Sequence, residues 1–168
     1  MPHYKDTTNK LHFIDDERFA YLLPPGSVLI TDEEAAELSV PSLAAIKATK
    51  EAEINALRDE KRYNGGVEVD GKWFRSDQAA IAEYTALIPA IKAMGASNST
   101  VVRENWRTMK AGVVAPMSIN LVNQILAAGL QKAIAIDDVA ETHKAAVRAS
   151  ADPANYDYST GWPPVFTE

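Results

Sequence analysis

The chain has 168 residues, which is enough for one compact domain or for one domain with a small appendage. Its hydrophobic fraction of 46% and its charged fraction of 24% are those of an ordinary globular protein. The net charge of −6 argues against nucleic acid as the main partner, because phosphate-binding surfaces concentrate Lys and Arg. The sequence contains no cysteine, which excludes disulfides, thiolate metal sites and cysteine nucleophiles.

The N-terminal segment MPHYKDTTNK is polar and lacks the basic and then apolar order of a signal peptide. No apolar run approaches the length of a membrane span. We therefore expect the protein to fold in the cytoplasm and to have no membrane partner.

The first thirty residues predict a small β element. The short pieces HYKD, KLHFI, FAYLL and SVLI read as extended, and the turn-forming TTN and PPG separate them. Thr31 and Glu34 then have the spacing of a capping box, in which each side chain bonds a backbone amide near the other. This spacing predicts a short helix that ends at about Leu38.

A long helix is predicted from Ser42 to Arg62, because this segment is rich in Ala, Glu, Lys and Leu. Its apolar stripe is narrow, is interrupted by Lys50, and consists of Leu43, Ile46, Ile54 and Leu57. Such a helix is suited to link two modules or to pair with a helix of another chain. The sequence YNGG ends it, since Asn and Gly accept the left-handed backbone that closes a helix.

The stretch GGVEVDGKWFRSDQAA predicts a β-hairpin followed by a helix. Asp70 and Gly71 form one of the strongest short hairpin signals. They predict three cross-strand pairs: Val69 with Lys72, Glu68 with Trp73, and Val67 with Phe74. Alternation then sends Phe74 to the core and leaves Trp73 on a face that it shares with Glu68 and Arg75.

The helix that follows is predicted to begin after Ser76 or Asp77, either of which is a suitable N-cap. Pro89 within the helical segment predicts a kink or a break. The side chains expected to face inward are Ile81, Tyr84, Leu87, Ile88 and Ile91.

A second pair of strands is predicted around Trp106 and at Val113 and Val114, with a turn near Gly112 between them. Trp106 is expected to be a core residue. A helix should then run from Ser118 to about Ala135, and its predicted stripe consists of Ile119, Val122, Leu126, Leu130 and Ile134. The capping-box spacing of Asp138 and Glu141 predicts that a separate helix starts there and continues to about Ser150.

The residues that commonly carry chemistry form no catalytic pattern in this sequence. No nucleophile elbow or phosphate-binding loop is present, and His3, His12 and His143 are far apart along the chain. The 23 acidic residues guarantee many carboxylate pairs, so a pair alone would not indicate a glycosidase. We predict a protein that is not an enzyme and that has no catalytic residues, no metal site and no cofactor.

Aromatic residues for which the sequence gives no clear core position, together with Arg75 beside one of them, are the candidates for partner binding. The predicted partner-binding residues are Trp73, Arg75, Tyr156, Tyr158 and Trp162. Two interpretations remain open for the rings of the C-terminal tail, which either fix the tail onto the surface of the protein or anchor it to a partner. We predict that Trp73→Ala or Trp162→Ala weakens partner binding with little loss of thermal stability, because the sequence gives neither ring a clear core position.

Two parts of the sequence resemble known families. The segments HYKDTTNKLHFID and YLLPPGSVLITDEEAAEL are similar to the N-terminal segment of tail-fibre assembly proteins of tailed bacteriophages. From about Ile54 onward, GKWFRSD, NWRTM and LVNQILAA resemble a domain of unknown function often found in phage tail proteins.

The resemblance implies a chaperone-like protein that helps the tail fibre to fold, trimerise or attach, by contact with a fibre or baseplate protein. It implies a location in the host cytoplasm during assembly, or in the virion tail if the protein is a permanent structural component, which is the main alternative. A homo-oligomer stays open, and so does a third alternative, an enzyme acting on cell-surface glycans, which would need a cleft with two perturbed carboxylates.

Together the patterns predict an α+β protein. Residues 1–40 should form the β element and a short helix, residues 41–64 a connecting helix, and residues 65–168 a hairpin-helix domain. The C-terminal half should be mostly helical and should end in an extended aromatic tail.

Overall fold

The computed structural model describes residues 2–168, apart from the side chain of Glu17, and has the predicted α+β architecture. The chain forms two compact units, an N-terminal unit that ends at Ala48 and a C-terminal unit that begins at Thr49. The boundary between them lies within one long helix.

The N-terminal unit contains a three-stranded antiparallel sheet, in the order β2-β1-β3, formed by β1 (His3–Lys5), β2 (Leu11–Phe13) and β3 (Val28–Ile30). The turn between β1 and β2 is organised by Asp6. Hydrogen bonds from His12, and then from Thr8 and Lys10, hold the pKa of Asp6 far below its usual value. The predicted extended pieces HYKD, KLHFI and SVLI thus contain β1, β2 and β3.

The fourth piece, FAYLL, is not a strand as predicted but lies in a 3-10 helix, Glu17–Leu22. Asp16 explains the difference, because its carboxylate accepts a hydrogen bond from the backbone amide of Arg18 at 2.9 Å and so caps the first turn. The apolar residues of this segment consequently lie on a helical turn and not in the sheet.

Helix α1 (Asp32–Ser39) begins at the predicted N-cap. The hydroxyl of Thr31 accepts a hydrogen bond from the amide of Glu34 at 3.1 Å. Hydrogen bonds from Lys5 first, and from the amide of Thr31, lower the pKa of Glu34. The capping box is confirmed, and Lys5 joins it to strand β1.

Helix α2 (Leu43–Asn64) confirms the predicted long helix. Gly66 follows it with φ of +61°, the left-handed conformation that glycine accepts without strain. Within the C-terminal unit, Ile54 is fully buried, while Glu51 pairs with Arg148 and Arg62 with Asp137. These contacts fix α2 along the last helix of the chain.

The first hairpin, β4 (Val67–Val69) and β5 (Lys72–Phe74), has the predicted register at all three pairs. Asp70 and Gly71 both have positive φ, of 50° and 71°, as a tight turn of the Asp-Gly type requires. Phe74 and its strand neighbours Val67 and Val69 are buried, whereas Trp73 is half-buried.

Helix α3 (Gln78–Ala93) is capped by Asp77, which accepts from the amide of Ala80 at 3.0 Å. Of the kink or break predicted at Pro89, the break is wrong, because α3 continues through it, with the buried Tyr84 and Ile91 on either side outweighing one lost backbone hydrogen bond. Ile81 was expected to face inward but is 43% exposed. The small Ala80 occupies the inward position instead, one residue earlier.

The second hairpin consists of β6 (Arg103–Arg107) and β7 (Val114–Met117), and Trp106 is buried as predicted. Helix α4 (Ile119–Ala149) then runs without interruption, so the predicted end at Ala135 and restart at Asp138 are wrong. Asp138 lies in mid-helix, where its carbonyl accepts from Thr142, and Glu141 pairs with Lys144. The buried Ile136 and Ala140 explain the continuity, since they keep the helix packed across this point.

The predicted apolar stripe of α4 is correct only at its beginning. Leu130 and Ile134 are 64% and 53% exposed. The large apolar residues that α4 buries are Ile119, Val122, Ile125, Ile136 and Val147. The helix therefore carries an exposed apolar side as well as a buried one.

The C-terminal unit has two hydrophobic clusters. The first lies between the hairpins, α3 and the beginning of α4, and includes Val67, Phe74, Tyr84, Trp106, Met117 and Val122. The second consists of Ile54, Ala140 and Val147, and the rings of Tyr156, Tyr158 and Trp162 pack against it. The C-terminal tail, residues 150–168, is therefore docked along the helices without regular secondary structure of its own.

Among residues 2–168, α4 is the one helix that is long and apolar enough to cross a membrane by length and composition. The sequence-based expectation that no apolar run approaches the length of a membrane span is therefore wrong for α4. The property does not decide location, because core helices of soluble proteins share it and α4 buries Val122 and Ile136 within the protein.

Candidate partner-binding surfaces

Trp73 lies on the outer face of β5 and is covered in part by the protein's own C-terminal tail. Its ring centroid is 6.1 Å from that of Phe166, with the planes tilted by 53°. The ammonium of Lys132 on α4 is 5.1 Å from the centre of the Trp73 ring, within the range of a cation–π contact. The ring is thus contacted by the tail and by α4 and is half-buried.

Lys132, on α4, binds the glycines that precede the first hairpin, and the C-terminal tail binds one of the same glycines. Its ammonium donates to the carbonyl of Gly65 at 3.0 Å and also to that of Gly66, and the amide of Phe166 donates to the same Gly65 carbonyl at 3.0 Å. Burial first, and the charge of Lys61 second, lower the pKa of Lys132 to about 8. The contact between hairpin, tail and α4 therefore includes a partly desolvated cation.

The lowered pKa of Lys132 makes the stability of the protein depend on pH. A lysine whose pKa is about 8 when folded and 10.5 when unfolded opposes folding while it is charged, and this opposition disappears as the pH rises between those values. We expect the free energy of unfolding of the wild type to increase relative to that of Lys132→Met between pH 7 and pH 10, in denaturation curves recorded across this range. A difference that stays constant would contradict a desolvated ammonium at this position.

Arg75 lies two residues after Trp73, on the same face of the hairpin. It pairs with Asp77, the N-cap residue of α3. Its Nε and Nη2 donate to the carboxylate of Asp77 at 2.7 Å and 3.0 Å. This pairing raises the pKa of Arg75 and lowers that of Asp77. Arg75 therefore keeps a fixed position at the N-terminus of α3 while more than half of its side chain is exposed.

The tail rings Tyr156 and Trp162 surround the buried imidazole of His143 on α4. His143 Nε2 donates to the carbonyl of Thr160 at 3.0 Å, so Nδ1 is left to accept from the Tyr156 hydroxyl at 2.8 Å. The Trp162 ring stacks on the imidazole, with centroids 5.6 Å apart and planes at 29°. This cluster holds the tail against the helix.

Tyr158 and Trp162 also connect the tail to α2. The Tyr158 hydroxyl donates to Glu53 at 3.0 Å, which raises the pKa of Tyr158, and Lys50 lies 5.3 Å above its ring. Trp162 Nε1 donates to the carbonyl of Tyr158 at 2.7 Å. The tail rings are thus engaged inside the C-terminal unit, and a role for them in partner binding stays a prediction.

The N-terminal unit presents most of its large apolar side chains to solvent. Its buried hydrophobic residues, among those described, are Ile14, Ile30 and Ala35. Six side chains of the sheet and the 3-10 helix are between 45% and 77% exposed: Phe13, Phe19, Tyr21, Leu22, Val28 and Leu29. We call these six residues the N-terminal apolar surface.

The N-terminal apolar surface extends over both faces of the sheet and the adjoining helix. Phe13 and Val28 lie on one face, opposite His3 and Lys5 of the central strand, and Leu29 lies on the other face, opposite Tyr4. The 3-10 helix between β2 and β3 adds Phe19, Tyr21 and Leu22. Phe19 and Leu22 are three residues apart and therefore share one side of that helix.

A groove between α3 and α4 is the other apolar opening. It has a volume of about 260 Å³ and is bordered by Ile81, Leu126 and Leu130. Arg62, Tyr63, Arg75 and Ser76 line it as well. The hydroxyl of Ser76 donates to the carbonyl of Arg62 at 3.0 Å, which places the backbones of both arginines at the same end of the groove. We call this feature the α3/α4 groove.

Of the residues predicted from the sequence to bind a partner, Arg75 alone lines the α3/α4 groove, while Trp73 and the tail rings lie elsewhere in the C-terminal unit. Sequence reasoning missed Arg62, Ile81 and Leu130, because it assigned both apolar residues to the core. Among the side chains that the structure describes, no group of three His, Asp or Glu is placed to hold a metal ion.

The fold and these surfaces define an α+β protein with a strand-rich unit and a larger helical unit that contains the groove. The family model described as a domain of unknown function, DUF4376, matches residues 45–160, more than two thirds of the chain, and the protein belongs to this family. The match includes α2 from its third residue, both hairpins, α3, α4 and the tail as far as residue 160, and excludes the N-terminal sheet. No curated protein and no solved structure matches the chain.

Proposed function

We propose that the protein assists the assembly or attachment of a bacteriophage tail fibre by binding the fibre protein directly, in the host cytoplasm. The observation that carries this proposal is the N-terminal apolar surface. The resemblance of the same segment to tail-fibre assembly proteins supports the identity of the partner. The proposed role is binding and requires no cofactor.

The balance between buried and exposed side chains supports a binding role for the N-terminal unit. Three buried hydrophobic residues are a small core, while six large apolar side chains face water. Exposed apolar patches commonly mark a protein interaction site. Because these six side chains lie on both faces of the sheet and on the 3-10 helix, the fibre protein would contact the unit from more than one side. Tyr and Phe are also among the residues that supply much of the binding energy at interfaces. Covering these side chains with a partner would stabilise both the unit and the complex.

Co-expression with the neighbouring tail-fibre gene tests the proposal. We expect the fibre protein to be soluble and trimeric when the chain is present, and to aggregate or stay unassembled when it is absent. Equal yield and assembly of the fibre without the chain would contradict an assembly role. Mass spectrometry of purified particles then separates an assembly factor that departs from a permanent tail or baseplate component, which would be present in fixed stoichiometry.

The double variant Tyr21→Ser/Leu22→Ser tests the surface itself. Both side chains are exposed, so we expect fibre binding to weaken at least tenfold while the free energy of unfolding changes by less than about 1 kcal/mol. Titration of the labelled fibre protein measures the first effect, and urea denaturation measures the second.

Met94→Ser/Val101→Ser is the matched control, because it removes two exposed apolar side chains from the C-terminal unit. We expect this variant to bind the fibre as the wild type does. Equal weakening by both variants would show that general surface hydrophobicity, and not the N-terminal apolar surface, determines binding.

A further inference from the structure

Most of the side chains that line the α3/α4 groove are apolar, although the groove opens to solvent. Val67, Tyr84 and Ile125 line it from the first hydrophobic cluster, and Ile81 and Leu130 border it with exposed side chains. An apolar cavity of about 150 Å³ holds one benzene molecule. The 260 Å³ of the groove therefore suffices for one large apolar side chain and part of its backbone.

Two arginines line the groove, and each is paired with a carboxylate of the protein. Arg62 uses Nη1 to bind Asp137 at 3.0 Å, and Arg75 uses Nε and Nη2 to bind Asp77. The other guanidinium donors, Nε and Nη2 of Arg62 and Nη1 of Arg75, have no hydrogen bond to any residue that the structure describes. Each arginine can therefore add a carboxylate acceptor without losing its present partner.

We propose that the α3/α4 groove binds a segment of a partner protein in which one large apolar side chain lies beside a carboxylate. The apolar side chain fills the space between Ile81 and Leu130, and the carboxylate accepts from Arg62 and Arg75. This proposal is independent of the N-terminal apolar surface and holds whether or not the partner is a tail fibre.

The size of the groove favours a short segment over other occupants. Twelve residues line it, fewer than the roughly 20–30 residues per partner of a stable interface. Its volume is also below the roughly 300–1,000 Å³ of sites for drug-sized molecules. The chain's own tail is docked elsewhere, against Ile54 and Val147.

Two small probes that differ only in charge test the proposal. The full-length protein, labelled with nitrogen-15, is titrated with N-acetyl-L-phenylalanine and separately with N-acetyl-L-phenylalaninamide, and amide chemical shifts are followed by NMR. We expect both probes to shift the signals of Ile81, Leu126 and Leu130, and the acid to bind about tenfold more tightly, because a hydrogen bond to a charged group is stronger than a neutral one. No shifts at the groove, or equal affinity for the two probes, would overturn the proposal.

Two variants test separately the carboxylate contact and the apolar contact of the proposed interaction. Arg62→Gln/Arg75→Gln should reduce the affinity for the acid to that for the amide, while Leu130→Asp should weaken both probes. Asp77 still caps α3 in the first variant, but the Arg62–Asp137 pair is lost, so folding is checked in the same spectra. A preference for the acid that survives the double arginine variant would overturn the proposal. So would groove signals that depend on protein concentration without probe, since they would assign the groove to a second copy.

Discussion

Phe74→Ala is expected to lower the free energy of unfolding by about 3–5 kcal/mol, the largest effect of any single substitution considered for this protein. Phe74 is 1% exposed and belongs to the first hydrophobic cluster, where Val67 is its cross-strand partner. Removing the ring leaves a cavity at the point where the hairpin, α3 and α4 meet. The surrounding elements are held by separate turns and caps, so the cavity should close only in part.

Urea denaturation followed by fluorescence measures this loss, since Trp106 lies in the same cluster and reports on its opening. Ile81→Ala is the matched control: its side chain is exposed, and we expect a change of less than about 1 kcal/mol. A loss below about 1 kcal/mol for Phe74→Ala would mean that the first hairpin is not anchored in the core.

Trp162→Ala is expected to cost about 2 kcal/mol and to loosen the whole tail. The ring is half-buried, stacks on His143 and packs against Ile54, and its Nε1 donates to the carbonyl of Tyr158. Complete burial of a tryptophan ring would justify a loss of about 3–5 kcal/mol, and partial exposure reduces that figure. This expectation replaces the sequence-based one, in which Trp162→Ala left thermal stability almost unchanged.

Two measurements test the docking of the tail. Urea denaturation gives the stability loss, and hydrogen exchange of residues 150–168 reports whether the tail has become mobile. Trp162→Phe keeps an aromatic ring on His143 but loses the indole donor, so an intermediate loss of about 1 kcal/mol is expected. No loss for Trp162→Ala and unchanged exchange would show that the ring does not hold the tail, which would leave it free to bind a partner.

The features that were predictable from the sequence are those set by neighbouring residues. The Asp70-Gly71 turn fixes the hairpin register, and Thr31 and Asp77 each cap a helix through a bond that reaches only three residues. Asp138 and Glu141 show the limit of this reasoning, because the same spacing occurs inside a helix. Whether this spacing marks the start of a helix depends on tertiary packing. Here Ile136 and Ala140 are buried by partners distant in sequence, and the helix continues.

The candidate surfaces were harder to predict because they depend on which side of an element is covered. Helical periodicity identified an apolar stripe on α4, yet the partners of the helix cover another side and leave Leu130 and Ile134 exposed. The predicted hairpin register correctly placed Phe74 and Trp73 on opposite faces. The contact of Trp73 with Phe166 was not predictable, because the two residues share no local sequence pattern. The bonds of His143 to the irregular tail likewise correspond to no periodic pattern in the sequence from which they could be predicted.

Hydrogen–deuterium exchange of the chain, alone and in complex with the fibre protein, tests whether the N-terminal apolar surface binds that protein. We expect backbone amides between Phe13 and Leu29 to exchange more slowly in the complex. A complex in which these amides exchange at the free rate, with all protection confined to residues 49–168, would contradict this expectation.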